Sequence, residues 1–479
     1  MTDVVKTRDR WGSSSSFLLA GMGAAIGLGN FWRFPRIVAK YGGGEWFVAY
    51  FLALFLLGIP MLLCELSVGQ KFQRACFDAF ASVNGRFKGI GIAAAFTSMV
   101  IAMYYMPIIA WSMVYFVYSF QTTESGDLLW GADPAGFLFG PQVMHLSSGP
   151  NEIGGLAPWP SIGIILGWII TAACIYKGTK SMSYVVWITV PLPIICLIIL
   201  LIRAATLEGA AEGVRYYGEG SAEGSLNSID AWTSAVGQIL FSIGLGFGIM
   251  PAYASYNDRR ANVVRDTLLI AIVNMLVSIL SGFVVFATLG NMAVKQGLTM
   301  EEIVPLNSSV GLAFVVFPAA LNTFPVGKNA FSVVFFIMIF TLGLDSAFAI
   351  VEAVAAIVKD VMPKSWREEF VAPGLCFKEQ NADFQMMAKT LIRSENYFVV
   401  NTFIWMVKIV SPVLLGFLIL ASFVTDGISG YGGYTDQWLW LGRIFYIIVL
   451  GILFAGNFVP YTPSVEPNDE EDVKASTSA

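Results

Sequence analysis

The stretch GMGAAIGLGNFWRFP at residues 21–35 decides how this chain is interpreted. It is apolar over most of its length, but four glycines divide it, and Asn30 and Arg33 follow them. A second apolar stretch, FSIGLGFGIMP at residues 241–251, repeats the pattern with three glycines beyond Ser242. Each glycine costs about 1 kcal/mol of helix stability relative to alanine. The sequence therefore predicts two helices that are interrupted by unwound backbone.

The composition of the chain is that of a membrane protein. Of 479 residues, 56% are hydrophobic and 13% are charged, whereas soluble domains contain about 25% charged residues. Apolar stretches of about 20 residues, long enough to cross a bilayer, recur along most of the sequence. We predict ten spans, at residues 14–38, 45–69, 89–120, 161–177, 182–203, 231–256, 267–291, 330–359, 397–424 and 437–458. The predicted fold class is an all-α polytopic membrane protein in which the first and sixth helices are unwound.

Unwound backbone is tolerated at membrane depth only where it is buried in protein or lines a cavity. Paired interrupted spans at corresponding places in two halves of a chain are typical of transporter binding sites. Freed carbonyl groups can bind cations there, and the N-termini of half-helices can bind a carboxylate. The alternative is close helix packing through small residues. That alternative accounts less well for Asn30 and Ser242, which stand beside the two glycine clusters.

The distribution of Lys and Arg predicts the orientation. If the N-terminus is cytoplasmic, the inner loops carry eighteen of these residues and the outer loops six. The positive-inside rule then places both termini in the cytoplasm, for a multi-pass protein of the plasma membrane. The predicted parts are a gate segment at 1–13, a first repeat at 14–203, an outer loop at 204–230, a partial second repeat at 231–360 with an outer lid at 306–328, a polar cytoplasmic segment at 361–396, two peripheral helices at 397–458 and an acidic tail at 459–479.

Several polar residues lie within the predicted spans, where ionisable groups are expensive and often functional. They are Glu65, Asn274, Ser278, Asp345, Ser346 and Glu352. For Glu65 and Glu352 we favour a structural role, in which the carboxylate binds backbone N–H groups freed by the interruptions. Asp345 and Ser346 are adjacent oxygen donors, which suit a small cation.

Further motifs accompany the glycine clusters. They are Gly27 to Pro35, Tyr41 to Gly44, Gly58-Ile59-Pro60, Glu65, Tyr104-Tyr105, Ser242 to Tyr256 and Gly343-Leu344-Asp345-Ser346. Together they resemble the neurotransmitter:sodium symporter family over residues 8–360 and again near 397–458. The resemblance implies an inverted-repeat transporter that binds two sodium ions and chloride.

The two implied sodium sites use residues on both sides of the interruptions. The first would consist of the carbonyl of Ala25, the side chains of Asn30, Ser242 and Asn274, and the substrate carboxylate. The second would consist of the carbonyls of Gly23, Ile26 and Leu342 with the side chains of Asp345 and Ser346. Neutral and singly charged oxygen donors of this kind suit a hard cation.

The resemblance also implies a chloride site formed by Tyr50, Gln238, Ser242 and Ser278. Chloride-independent members of the family place a carboxylate where Ser278 stands here. The neutral hydroxyl of Ser278 therefore implies that an external anion supplies the balancing charge.

Two gates are implied. Arg8 would pair with Asp360 at the inner gate, supported by Tyr256, and Arg33 would act at the outer gate. From the residues alone, Arg8 is better interpreted as a positive-inside anchor.

The implied substrate pocket is lined by Ala25, Gly27, Leu28, Gly29, Ile101, Tyr105, Phe241, Ser242, Gly244, Phe247, Ser346 and Ile350. Monoamine transporters of the family carry an aspartate at the position of Gly27, so the glycine leaves the first sodium ion open to a substrate carboxylate. Backbone N–H groups of Leu28 and Gly29 at a helix end also favour a carboxylate. An apolar lining disfavours a charged side chain. Gly244 adds room. We therefore expect a small-molecule substrate that is a neutral α-amino acid with a medium to large side chain, and not glycine or a β- or γ-amino acid.

Residues 361–396 depart from the family pattern. They are polar and cannot supply the two helices that the family has at this point. The second repeat would then be incomplete, and the acidic partner expected for Arg33 would be missing. Two functions remain open: a sodium-coupled, chloride-dependent importer that works by alternating access, or a non-transporting binding or regulatory isoform or truncated gene product that keeps the pocket. The sequence shows neither a catalytic residue set nor a nucleic-acid-binding patch. Because the chain is predicted to lie in a membrane, lipid is the other partner that we expect.

Overall fold

The computed structural model describes residues 9–147, 155–221, 225–305 and 308–361, together with a few helical positions between 444 and 451. In the first third of the chain the helices are α1 (Ser14–Ala25), α2 (Leu28–Phe31), α3 (Arg33–Lys40), α4 (Trp46–Ala53), α5 (Ile59–Phe72), α6 (Cys76–Val83), α7 (Lys88–Tyr118) and α8 (Pro134–Phe139). They continue as α9 (Pro158–Ile175), α10 (Thr179–Thr189), α11 (Pro191–Ala205), α12 (Ala210–Glu219), α13 (Ile229–Ile243), α14 (Ile249–Ala254), α15 (Val263–Gln296), α16 (Met300–Ile303), α17 (Ser309–Gly311), α18 (Phe317–Asn322) and α19 (Lys328–Val361). The described residues form no β-sheet, only an isolated bridge between Thr122 and Leu128.

Six helical stretches are long and apolar enough to cross a bilayer. They are Gly43–Phe72, Gly85–Tyr118, Pro158–Ile175, Thr179–Ala205, Val263–Gln296 and Lys328–Asp360. The predicted first and sixth spans consist of shorter helices and account for the remaining spans within the described residues. The prediction of a polytopic α-helical membrane protein is confirmed. The last two predicted spans lie almost wholly outside the described residues, as do residues 362–396.

The first span is interrupted where its glycines predict. α1 ends at Ala25, and Ile26 is extended with φ −82° and ψ 97°. Gly27 is also extended, and its N–H donates to Oδ1 of Asn30 at 3.0 Å. Because a helix end leaves the last carbonyl groups without helical donors, the end of α1 presents free oxygen atoms.

The sixth span is interrupted over residues 244–248. α13 ends at Ile243 and α14 begins at Ile249. Between them Gly244, Gly246 and Gly248 have φ values of +75°, +80° and +74°. A residue with a β-carbon pays about 1–2 kcal/mol for this left-handed conformation. The prediction that the first and sixth helices unwind is therefore confirmed.

Side chains from neighbouring helices hold the unwound segment of the sixth span. Glu65 on α5 accepts a hydrogen bond from the N–H of Gly246 at 2.8 Å. Ser98 on α7 donates to the carbonyl of Phe247 at 2.7 Å. These bonds replace those lost with the helix. The structural role predicted for Glu65 is confirmed.

The second span is in backbone contact with α14. A β-carbon added to Gly69 would lie 2.2 Å from the carbonyl oxygen of Pro251. Beyond this contact, Gln70 donates to the carbonyl of Ala261 at 2.9 Å, and Gln73 donates to that of Asn257 at 2.8 Å. α5 and α14 therefore form one closely packed unit.

An irregular cap, residues 121–147, covers one end of the bundle next to the segment predicted as a lid. Trp130 is fully buried and donates to the carbonyl of Pro318 at 2.9 Å. Asp127 forms an ion pair of 2.7 Å with Lys328 at the start of α19. Within the predicted lid, residues 309–322 are helical throughout, and Pro318 is in the first turn of α18. Its role as a lid stays a prediction.

Candidate functional site

A buried polar cluster connects the two interrupted spans. Asn30 donates from Nδ2 to Oδ1 of Asn274 at 2.7 Å and to Oγ of Ser278 at 2.8 Å. Asn274 donates to Oγ of Ser242 at 3.0 Å. All four side chains are buried. The structure therefore brings together the three side chains assigned to the first sodium site, from α2, α13 and α15.

The second group of oxygen atoms lies where α19 meets the first interruption. A β-carbon added to Gly23 would lie 3.1 Å from Oδ2 of Asp345, and one added to Gly27 would lie 2.8 Å from Oγ of Ser346. Asp345 is 1% exposed, and its Oδ1 has no hydrogen-bond partner among the described residues. A buried carboxylate is costly unless it is paired or takes up a proton, and a cation beside this oxygen would stabilise its charged form. The carbonyls of Gly23, Ile26 and Leu342 stay predicted ligands of the second sodium site, and the Leu342 carbonyl accepts a hydrogen bond from Ser346 at 3.4 Å.

The residues assigned to chloride include two unsatisfied donors. The hydroxyl of Tyr50 and Nε2 of Gln238 are both buried, and neither has a hydrogen-bond partner among the described residues. Gln238 uses its Oε1 to accept a hydrogen bond from Arg33, which leaves its amide hydrogens for another ligand. Ser278 lies beside the Tyr50 hydroxyl. Buried donors are normally satisfied, so two orphaned donors indicate a ligand that accepts hydrogen bonds.

The predicted pocket residues surround Gly27. Its added β-carbon would lie 3.7 Å from the Tyr105 hydroxyl, in addition to the close approach to Ser346. The Tyr105 hydroxyl faces Ser346 and the backbone of Leu28. A carboxylate placed there could accept hydrogen bonds from the tyrosine and from the start of α2.

The other side chains predicted to line the pocket are apolar. Ile101 and Ile350 are buried, whereas Phe241 is 40% exposed. The rings of Phe241 and Phe247 meet edge to face at 6.1 Å. Gly244 is in the left-handed conformation, and a β-carbon added to it would lie 3.9 Å from the Phe247 ring. The described lining is therefore apolar and aromatic, apart from the hydroxyls of Ser242, Ser346 and Tyr105.

The gate residues have partners that the sequence did not indicate. The Tyr256 hydroxyl donates to Glu352 at 2.8 Å, so Glu352 binds a hydroxyl group in addition to any freed backbone N–H. Asp360 accepts a hydrogen bond from the backbone N–H of Ala75 at 2.7 Å. Trp11 donates to the carbonyl of Tyr253 at 2.9 Å and packs near Tyr256. Arg8, the predicted partner of Asp360, lies outside the described residues.

One residue and one contact were missed from the sequence. Ser98 holds the carbonyl of Phe247, and Asn30 contacts Ser278 directly, which joins the cation and anion groups. A serine in the middle of the apolar third span is the one signal that could have indicated the first contact.

The comparisons with known proteins agree with this geometry. The model of the sodium:neurotransmitter symporter family matches residues 8–132 and 127–392. The sodium- and chloride-dependent GABA transporter ine of Drosophila melanogaster is 34% identical over 385 residues, which cover 74% of this chain and 40% of that protein. The sodium-dependent serotonin transporter of the same species is 35% identical over 396 residues, or 78% of this chain and 63% of that protein.

A third relative carries amino acids according to its name. The sodium- and chloride-dependent neutral and basic amino acid transporter B(0+) of Mus musculus is 32% identical over 414 residues, which cover 76% of this chain and 64% of that protein. The chain thus spans between 40% and 64% of the length of these relatives. These relatives are transporters, not enzymes. The matched family model covers most of this multi-pass membrane protein, and the chain belongs to the sodium:neurotransmitter symporter family.

Proposed function

We propose that the chain is a sodium-coupled, chloride-dependent symporter that imports neutral α-amino acids by alternating access. The observation that carries the proposal is the unpartnered, buried Oδ1 of Asp345 beside the end of α1. A sodium ion would satisfy this oxygen. Moving one charge across 100 mV yields about 2.3 kcal/mol, so two sodium ions can concentrate a substrate strongly.

Neutral amino acids fit the surroundings of Gly27 best. Gly27 has no side chain, so the pocket offers no carboxylate there for a substrate ammonium. The Tyr105 hydroxyl and the start of α2 instead offer donors for a substrate carboxylate. Carbonyl groups near Phe241 and Ser242 can accept hydrogen bonds from its ammonium group. Ile101, Phe247 and Ile350 favour an uncharged side chain, because a buried unpaired charge costs several kcal/mol.

Sodium-dependent binding, measured for the twenty amino acids, dopamine and serotonin with purified protein, tests the proposal. Leucine-like and methionine-like ligands should rank above lysine, glutamate, dopamine and serotonin. A preference for a monoamine or a charged amino acid would overturn the substrate assignment.

A pair of glycine variants tests the placement of the substrate. Gly27→Ala should weaken amino-acid binding at least tenfold, because its β-carbon would lie 2.8 Å from Oγ of Ser346. Gly29→Ala is the matched control, because its β-carbon would lie 3.7 Å from the Phe241 ring, at ordinary contact distance. Equal affinities for the two variants would contradict the placement.

A non-transporting binding protein is the second candidate, favoured by the polar composition of residues 361–396. Substrate counterflow in proteoliposomes separates the two functions. Sodium-dependent exchange supports transport, and binding without exchange supports the second candidate.

A further inference from the structure

Tyr217 extends from the outer loop toward the proposed chloride site. It lies in the last turn of α12, which packs along α15 through close backbone contacts. A β-carbon added to Gly209 would lie 2.4 Å from the carbonyl oxygen of Gly290, and one added to Gly213 would lie 1.8 Å from that of Phe286. α12 therefore descends α15 as its own numbering rises, and Tyr217 is close to its deepest end.

The direction of the Tyr217 hydroxyl follows from its neighbours. Its ring stacks on Phe286 with centroids 5.1 Å apart. The hydroxyl end reaches Gly282, one turn earlier on α15, where an added β-carbon would lie 2.2 Å from the hydroxyl oxygen. One further turn along the same face is Ser278. The hydroxyl thus points along α15 toward Ser278.

Helix α4 packs against another side of the Tyr217 ring. The ring of Phe47 meets that of Tyr217 edge to face at 6.1 Å. Tyr50 follows Phe47 by one helical turn on α4. The hydroxyl of Tyr50 is close enough to that of Tyr217 for the two to interact electrostatically. α4 and α15 therefore place Tyr50 and Ser278 on the side of Tyr217 toward which its hydroxyl points.

The Tyr217 hydroxyl is itself an orphaned donor. The residue is 2% exposed, and its oxygen has no hydrogen-bond partner among the described residues. Tyr50 and Gln238 are in the same condition. A buried donor without an acceptor is expected to meet a ligand that accepts hydrogen bonds, and these three donors lie on α12, α4 and α13.

We propose that Tyr217 closes the chloride site on its outer side and donates a hydrogen bond to the bound halide, directly or across one water. The proposal rests on the chloride dependence stated above, and it makes α12 part of the anion site. Because α12 lies outside the span helices, it connects anion binding to the outer loop.

Chloride titration of purified protein tests the role of Tyr217. The readout is the rise in unfolding temperature as chloride replaces gluconate at constant sodium. Tyr217→Phe keeps the ring and removes the hydroxyl, so its half-saturating chloride concentration should rise about tenfold, as expected for a lost hydrogen bond to an ion. Its half-saturating sodium concentration at saturating chloride should stay the same.

Tyr216→Phe is the matched control. Tyr216 also has a buried hydroxyl, but its neighbours are Glu301 and Ser221 and not residues of the chloride site. Its variant should bind chloride as the wild type does. A similar loss in both variants would show that packing of α12, and not the Tyr217 hydroxyl, is responsible.

A double variant gives a second, independent measurement. Ser278→Glu supplies a fixed negative charge in place of the halide, so adding Tyr217→Phe should have no further effect on substrate affinity. Unchanged chloride affinity in the single Tyr217 variant would overturn this inference alone. Absence of any chloride response in the wild type would overturn both this inference and the proposed chloride dependence.

Discussion

At the scale of single residues, the proposed sites are recognised by buried polar atoms that have no hydrogen-bond partner among the described residues. Asp345 has a carboxylate oxygen without a donor, and Tyr50 and Gln238 have donors without an acceptor, among the residues that the structure describes. A carboxylate oxygen without a donor suits a cation, and donors without an acceptor suit an anion. Asn30 connects the residues assigned to the first sodium site with those assigned to chloride, because it contacts both Asn274 and Ser278.

Removal of the Asp345 carboxylate should abolish sodium-dependent substrate binding. In Asp345→Ala a methyl group replaces an oxygen ligand and cannot bind a cation. Asp345→Asn keeps one neutral oxygen and should retain weak binding at high sodium. Sodium titrations of amino-acid binding measure both variants. An unchanged sodium affinity in Asp345→Ala would contradict the assignment of the second sodium site.

Addition of a carboxylate at position 278 should reduce the dependence on chloride. In Ser278→Glu the fixed negative charge substitutes for the mobile anion beside Tyr50. Substrate binding in gluconate should then approach the level seen in chloride. The charge-balance argument fails if the wild type binds substrate equally well in both salts.

At the scale of elements, the glycine clusters were sufficient to predict both interruptions, because the cost of glycine in a helix is local. The partners of the freed backbone groups were not predictable to the same extent. Glu65 was expected to bind some freed N–H, but Gly246 could be identified only from the packing of α5 on the sixth span. Ser98 is distant in sequence and gave no comparable indication.

The ends of helices were also not predictable from the sequence alone. α15 was predicted to end near residue 291 but continues to Gln296. Its last turns pack on α12, where Asn291 donates to the carbonyl of Glu208 at 2.9 Å. A tertiary contact of this kind leaves no periodic signal in α15 itself. Likewise, nothing in the apolar run of the second span indicates the π-helical turn at Leu54–Gly58.

The unwound segment of the sixth span should not tolerate a β-carbon. Gly246 has φ +80° and open space around it, so Gly246→Ala introduces backbone strain alone, of about 1–2 kcal/mol. Gly218→Ala also places its β-carbon in open space, but within the regular helix α12, so it should be neutral or slightly stabilising. Unfolding temperatures of the two variants give the comparison. Equal values would mean that the left-handed conformation is not maintained.

At the scale of the whole molecule, polar contacts attach the cap, residues 121–147, to α18 and α19. Trp130 binds the carbonyl of Pro318, and Asp127 pairs with Lys328 at the start of α19. Because α19 also carries Asp345 and Ser346, the cap and the proposed sodium site share one helix.

The pairing of Asp127 should depend on pH. The hydrogen bond from Lys328, followed by that from Ser125, lowers the pKa of Asp127 below its ordinary value of 3.8. A lowered pKa in the folded protein means that the contribution to stability is present above pH 3.8 and is lost as the pH falls through the lower value. Asp127→Asn should therefore show a smaller fall in unfolding temperature between pH 6 and pH 3 than the wild type. An identical fall in both proteins would rule out a stabilising role for this pair.

The contact between Gly69 and Pro251 has a mechanical consequence. Main chain meets main chain there, and the bonds of Gln70 and Gln73 prevent either helix from sliding by a turn. We therefore expect α5 and α14 to move as one unit. Residues 244–248, where the sixth span is unwound, are the part of that span at which the backbone can bend during such a movement.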